Sequence, residues 1–302
     1  LIIDKPPGIT SFGVVKKIKK WLGVKKIGHG GTLDPLATGV LPIFINKATK
    51  IAQFFLDMEK TYEVTMRLGL ETDTQDIEGN PLRVAKDVEV SLEALQAVME
   101  KFKGKIKQVP PPYSAIKVGG IPLYKWTRRG FKIDVPPREV EIYDLQIKKF
   151  QPPEVEFTVT CSKGTYVRTL CADIGKKLGC GACLARLRRL QTGPFSIEKA
   201  ITLEFLREAI REGRWLDYLV DINTALEHLS AITLDEQQEK RIKHGQFIFW
   251  PEKLTKPLIR GLNKEKKLIA LLKPKQIKNG VQLRPVRVFI SSTTPTLRKG
   301  LD

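Results

Sequence analysis

Val40-Leu41-Pro42-Ile43-Phe44-Ile45 is an apolar run without a polar break, entered from the glycine-rich stretch Gly28-His29-Gly30-Gly31-Thr32-Leu33-Asp34-Pro35 and closed off from it by Gly39. Such a run reads as a buried strand. Any fold open to this chain must therefore bury residues 40–45 and set a glycine-rich loop at their entrance. Leu1-Ile2-Ile3 before Asp4-Lys5-Pro6-Pro7-Gly8 reads as a short strand running into a turn. The chain opens inside that strand, so a short preceding N-terminal piece is expected. Ser11 is placed to cap a helix whose apolar face is Val14, Val15, Ile18, Trp21 and Leu22.

Alternation starts a half-buried strand at Tyr62, with Val64, Met66 and Leu68 on one face and Glu63, Thr65 and Arg67 on the other. Leu92, Leu95, Met99 and Phe102 mark a helix face. Val140 to Ile147 and Val155 to Val159 alternate as strands, and Val167, Leu170, Cys171, Ile174 and Leu178 predict a helix directly after Gly164-Thr165-Tyr166. Strands and helices mix without a βαβ rhythm, which predicts an α+β fold with a mixed sheet and not a doubly wound one. The pattern weakens around Asp217–Thr233. Beyond it come a short helix near Glu236–Lys243 and a hairpin in which Leu258-Ile259 and Leu268 to Leu272 flank Asn263-Lys264-Glu265. We expect two domains, 1–225 and a small basic β-rich domain 226–302. The polar tail Ser291 to Asp302 reads as disordered, with a last strand as the alternative.

Charge sharpens the division. Of 52 Lys+Arg and 33 Asp+Glu, residues 101–138 hold 10 basic and one acidic side chain, and residues 236–302 hold 16 and 5; the other two stretches are near neutral. A solubilising lysine-rich surface needs no such segregation, whereas a polyanionic partner does, so nucleic acid is the expected partner. No apolar run approaches the ~20 residues that span a bilayer, and four irregularly spaced cysteines indicate a reducing compartment. A cytoplasmic protein without a membrane role is expected.

Two constellations can carry chemistry. Asp34 sits among glycines with Pro35 stiffening the position of its carboxylate, which is how one acid is held at the floor of a cleft; an Asx turn or helix cap is the bland alternative. His29 stands beside it, either as part of the site or as a satisfied structural imidazole. In Ser162-Lys163-Gly164-Thr165-Tyr166-Val167-Arg168-Thr169, Arg168 falls at a helix start, where the dipole disfavours a cation unless a carboxylate or phosphate compensates it. A plain surface arginine is the other reading. Cys180 and Cys183 form one pair without a second, Asp73 and Asp76 fit no metal spacing with His29 and Asp34, and Gly28-x-Gly30 lacks the third glycine of a nucleotide loop. No metal is expected.

At these residues the chain resembles a known family. Gly28 through Leu41 is similar to the signature of the bacterial tRNA pseudouridine-55 synthases, the TruB family. Asp4-Lys5-Pro6-Pro7-Gly8 resembles their N-terminal Lys-Pro motif, Tyr62-Glu63 with Leu68-Gly69 their tyrosine strand, and Val109 through Tyr124 their inserted RNA-binding segment. Ser162 through Gly175 resembles their arginine motif, and Gly179 through Leu190 a further one. The resemblance implies a pseudouridine synthase fold, a largely antiparallel central sheet with flanking helices, followed by a PUA-like RNA-binding domain. It implies that Asp34 attacks the target uridine of the tRNA T-arm, that Tyr62 stacks on the flipped base, and that Arg168 pairs with Asp34 and holds it ionised. His29, Tyr166, Leu187 and Lys5 would form the substrate pocket. Lys117, Tyr124, Arg128 and Arg129 of the insert, about 101–138, would grip RNA. Exchanging an N–C for a C–C glycosidic bond requires no redox cofactor, metal or ATP, so no cofactor is expected; a monomer without an obligatory protein partner is. A non-catalytic tRNA-binding or folding protein and a guide-RNA-dependent synthase are the alternatives.

Overall fold

The computed structural model describes residues 1–278 and 280–289, so the reading of the tail from Ser291 falls outside the described residues. The chain opens with β1 (Ile2–Lys5), α1 (Ser11–Leu22), β2 (Ile27–His29), β3 (Thr38–Ile45), α2 (Ala52–Leu56) and β4 (Lys60–Leu68). A small hairpin of β5 (Leu70–Thr72) and β6 (Pro81–Val84) leads to α3 (Leu92–Glu100) and β7 (Gly104–Gln108). The insert then forms β8 (Lys117–Val118), β9 (Ile121–Pro122) and α4 (Leu123–Thr127). The chain returns through β10 (Arg138–Gln151), β11 (Glu154–Cys161), α5 (Val167–Leu178), β12 (Ala182–Thr192), β13 (Phe195–Ser196), α6 (Leu203–Arg211) and α7 (Ile222–Ala225).

The principal sheet runs β1-β3-β12-β4-β11-β10-β7, with β2 added to β3 and β13 to β12. Its one parallel pair is β3–β12; the rest are antiparallel. This is the mixed, largely antiparallel α+β sheet expected from the alternation. Val14, Val15 and Ile18 of α1, Leu95 and Met99 of α3, Leu170 and Ile174 of α5, and Leu203 and Leu206 of α6 share one core with Tyr62, Val64, Met66 and Leu187 of the sheet.

Helix α1 differs from expectation in its cap. Thr10, not Ser11, accepts the Gly13 amide at the helix start. Ser11 is occupied elsewhere: its buried hydroxyl accepts from Leu33 N at 2.8 Å and donates to Leu33 O at 3.1 Å, tying the helix to the residue before Asp34.

The C-terminal part comprises β14 (Ala231–Thr233), α8 (Glu236–Lys243), β15 (Ile248–Trp250), β16 (Ile259–Leu262), β17 (Leu268–Ile277) and β18 (Gly280–Val288). They form a second sheet in the order β14-β16-β17-β18-β15, which fits the PUA-like expectation. Leu234, Ile242, Ile248, Leu272 and Leu283 fill its own core. A further cluster joins Leu271 and Phe289 of this part to Ile2, Val40, Phe44, Phe55 and Phe195, so the two sheets share buried apolar surface. No helix among the described residues is long and apolar enough to cross a membrane.

Candidate active site

The loop that carries Asp34 is held from three directions. From below, Lys5 at the end of β1 is fully buried, and its Nζ donates to Pro6 O, Ile9 O and Pro35 O at 2.8, 2.7 and 3.1 Å. From α1, Ser11 pins Leu33. From β12, the buried guanidinium of Arg189 donates to Val40 O at 2.7 Å, Gly31 O at 3.2 Å and Thr32 O at 3.5 Å. Carbonyls that glycine-rich turns leave unpaired thus find donors. Ala37 N donates to Asp34 O at 3.1 Å, closing a turn through the backbone. The Asp34 side chain is left 38% exposed.

Arg168 supplies the carboxylate's partner. It lies in the first turn of α5, 5% exposed, and its Nε is 2.9 Å from Asp34 Oδ2. Nη1 donates to Thr74 O at 2.9 Å and lies 3.8 Å from Asp76 Oδ2, while Nη2 donates to Tyr113 O at 3.0 Å. The cation at a helix start is therefore compensated by two carboxylates, the condition its position demands. Asp76 is itself fixed by Thr74 Oγ1 at 2.6 Å and Glu78 N at 3.2 Å. Spacing alone assigns Asp76 to no site; its place in the fold is beside Arg168, and no cluster of metal-binding side chains occurs among the described residues.

The walls come from the sheet. Tyr62 on β4 is buried, and burial raises its phenol pKa, the nearby Arg189 charge pulling part of that back. Leu187 of β12 is buried opposite Val64 of β4. His29 at the end of β2 accepts from Gly31 N through Nδ1 at 3.4 Å. Burial first, and Arg189 second, lower its pKa, so the ring is neutral at physiological pH. Tyr166 occupies the cap position of α5 with no side-chain cap. Instead buried Gln108, at the end of β7, accepts from Tyr166 N at 2.7 Å and donates to Tyr166 O at 3.0 Å. Burial raises the phenol pKa of Tyr166 as well.

The structure thus gathers Asp34, Arg168 and the loop ties of Lys5 into one constellation and sets Tyr62 near it through Arg189. Lys117, Tyr124, Arg128 and Arg129 lie on the insert, the three cations exposed and the Arg128 guanidinium 5.6 Å over the Tyr124 ring. The insert reaches the site at its root, where Tyr113 O meets Arg168. Ser11, Asp76, Gln108 and Arg189 do not stand out as site residues in the sequence. Arg189 carries a signal there, a basic side chain two positions after Leu187, but it becomes readable only once residues 182–192 are known to be a strand.

Residues 19–167 match the model of the TruB family pseudouridylate synthase (N terminal domain), and residues 168–229 that of the tRNA pseudouridylate synthase B C-terminal domain. The tRNA pseudouridine synthase B of Syntrophus aciditrophicus (strain SB) is 46% identical over 245 residues, 81% of this chain and 78% of that protein. The chain belongs to the TruB family. The tRNA pseudouridine synthase B of Pseudomonas aeruginosa (strain UCBPP-PA14) is 45% identical over 255 residues, 83% of this chain and 84% of its own. Among solved structures the TruB-family chain is similar to one in a Cbf5-Nop10-Gar1 complex, at 29% identity and a TM-score of 0.77 over 96% of this chain and 84% of that one. A chain from an H/ACA RNP bound to a substrate RNA containing 2'-deoxyuridine gives 27% and 0.75 over the same shares. Within the TruB match, His29, Asp34, Tyr62 and Tyr166 fall in the first segment and Arg168, Leu187 and Arg189 in the second, while Lys5 precedes both.

Proposed function

We propose that this chain isomerises uridine 55 in the T-loop of tRNA to pseudouridine, with Asp34 as nucleophile. It is a tRNA pseudouridine synthase, as its relatives at 43–46% identity over about four-fifths of its length are named. The observation that carries the role of Asp34 is its pairing: an accessible carboxylate on a thoroughly tied loop, with Arg168 Nε at 2.9 Å. The reaction breaks the N1–C1′ bond, forms a C5–C1′ bond and moves one proton from C5 to solvent as N1 gains another, so atoms and electrons balance within the nucleotide. It needs an ionised nucleophile, a pocket that retains uracil while it turns, and a proton transfer from carbon. Arg168 holds the Asp34 carboxylate in position through Nε at 2.9 Å. Tyr62 stacks on the flipped base, which offsets the few kcal/mol that leaving the stack costs, and its buried, protonated phenol is available as a proton relay. His29, Tyr166 and Leu187 line the pocket, and Lys5 supports it from beneath the loop.

The insert, about 101–138, grips the T-arm through Lys117, Tyr124, Arg128 and Arg129, combining phosphate contacts with stacking. Residues 1–225 form the catalytic domain and 226–302 a basic module on the tRNA body. The chain acts as a monomer without an obligatory partner, supported by its higher identity to tRNA enzymes than to the chain of the Nop10- and Gar1-bound assembly. The test is a base-resolved pseudouridine assay on unmodified tRNA transcript. Asp34→Asn keeps the shape and removes the nucleophile, so product should vanish while RNA affinity changes less than about threefold. Multiple-turnover activity in the purified Asn variant would overturn the assignment.

A further inference from the structure

Strand β12 lies between β3, which leads out of the Asp34 loop, and β4, which carries Tyr62. The parallel pairing with β3 is two residues long, Arg188 opposite Thr38 and Arg189 opposite Gly39. On its other side Arg189 stands opposite Tyr62. One residue is thus in register with both the nucleophile's loop and the aromatic wall. The two neighbouring arginines divide their work: Arg188 forks onto Asp4 at 2.7 and 3.1 Å, while the Arg189 side chain, 1% exposed, turns under the loop. Its three acceptors bracket Asp34, with Gly31 and Thr32 before it and Val40 after it. The close approach depends on Gly39, at φ +99°, where an added Cβ would lie 2.2 Å from Arg189 O.

Arg189 forms no ion pair with a carboxylate among the described residues. Its charge is answered by carbonyl dipoles and the neighbouring Tyr62 phenol, an expensive way to bury a guanidinium. The planar fork explains the choice, since five donors in fixed directions can hold carbonyls on both sides of a loop where an ammonium cannot.

We propose that Arg189 is a positioning residue for the isomerisation, clamping both ends of the Asp34 loop onto the strand row that bears Tyr62 and so setting the gap in which the flipped uridine sits. This rests on Asp34 being the nucleophile. A misplacement of about 1 Å costs on the order of 100-fold in rate. Arg189 acts through Asp34 and Tyr62, so its effect falls on the chemical step and not on RNA binding.

The test compares Arg189→Met, which keeps the stem and loses every donor, with Arg189→Lys, which keeps the charge and loses the fork. Single-turnover rates at saturating T-arm stem-loop are measured beside Kd, well below each variant's unfolding transition. The expected result is a saturated rate about 100-fold lower for Met and intermediate for Lys, with Kd within about threefold of the parent. A folded variant whose saturated rate falls less than threefold, or whose loss lies wholly in Kd, overturns the proposal. Should the Met variant fail to fold, the Lys variant decides by the same criteria. Asp34→Asn is assayed alongside: activity there removes the nucleophile reading itself, whereas an inactive Asn variant beside fully active Arg189 variants removes only the clamp.

Discussion

Lys5 takes its ammonium where water does not follow. Burial lowers its pKa from 10.5 to about 8, Asp34 raising it and Arg189 lowering it further. The unfolded chain therefore binds this proton more tightly than the folded one. The penalty is constant below pH 8 and is relieved as pH rises from 8 toward 10.5, so this residue's contribution grows more favourable with pH. We expect the stability difference between the parent and Lys5→Met, from urea unfolding, to shift by about 2–3 kcal/mol in the parent's favour between pH 7 and pH 10. A difference that stays flat across that range would show a normal Lys5. Asp34, Arg168 and Tyr62 are legible because their neighbours are sequence neighbours: glycines and proline around the acid, a helix start at the arginine, alternation at the tyrosine. Lys5 is legible as a motif residue, yet its three carbonyl partners lie on a loop whose path only the fold reveals. Thr10 and Ser11 are equally good caps by chemistry, and the distant claim of Leu33 on Ser11 decides between them.

Helix α5 is readable from its 3.6-residue period and from Gly179, which ends it in the left-handed region at φ +84°. What begins it is not, because the tie comes from Gln108, 58 residues earlier, and from no local cap. Gln108→Leu leaves the amide of Tyr166 without its partner, while the carbonyl keeps only Leu170 N at 3.0 Å. It should cost about 1–3 kcal/mol in denaturant unfolding and should slow catalysis, since Arg168 follows in the first turn. An unchanged unfolding midpoint would mean that water replaces the amide. Strand β12 escapes a reading of the sequence altogether, although it is central to the sheet. Its register against β4 shifts between Leu184 and Arg186 and again between Arg189 and Gln191. Each irregularity breaks the period of two that identifies a strand. The short, buried β3 has no such interruption and is plain.

Across the whole molecule, the excess charge lies in residues 101–138 and 236–302, and Lys273, Lys275 and Lys278 on or just after β17 are exposed. Replacing all three by Gln should flatten the dependence of log affinity on log salt for full-length tRNA, by up to roughly 0.9 for each phosphate no longer neutralised, with the saturated single-turnover rate unchanged. An identical slope would leave these lysines as solvated surface. Point substitution is the cleaner route, because deleting the C-terminal part would expose Val40 and Phe44 of β3, which share a core with Leu271 and Phe289. The parallel pairing of β3 with β12 has a consequence in time. Val40 and Arg189 are 149 residues apart, and a ribosome adding about 5–20 residues per second needs on the order of 7–30 s to pass from one to the other. Through that interval the nascent chain carries Asp34 on a loop before a strand with one edge open, without Arg189 to tie that loop and, for most of the time, without Arg168 to pair with it. On the roles proposed above, activity waits until Arg189 has been added, and a product stalled before it keeps an apolar strand edge unpaired beside the Asp34 loop.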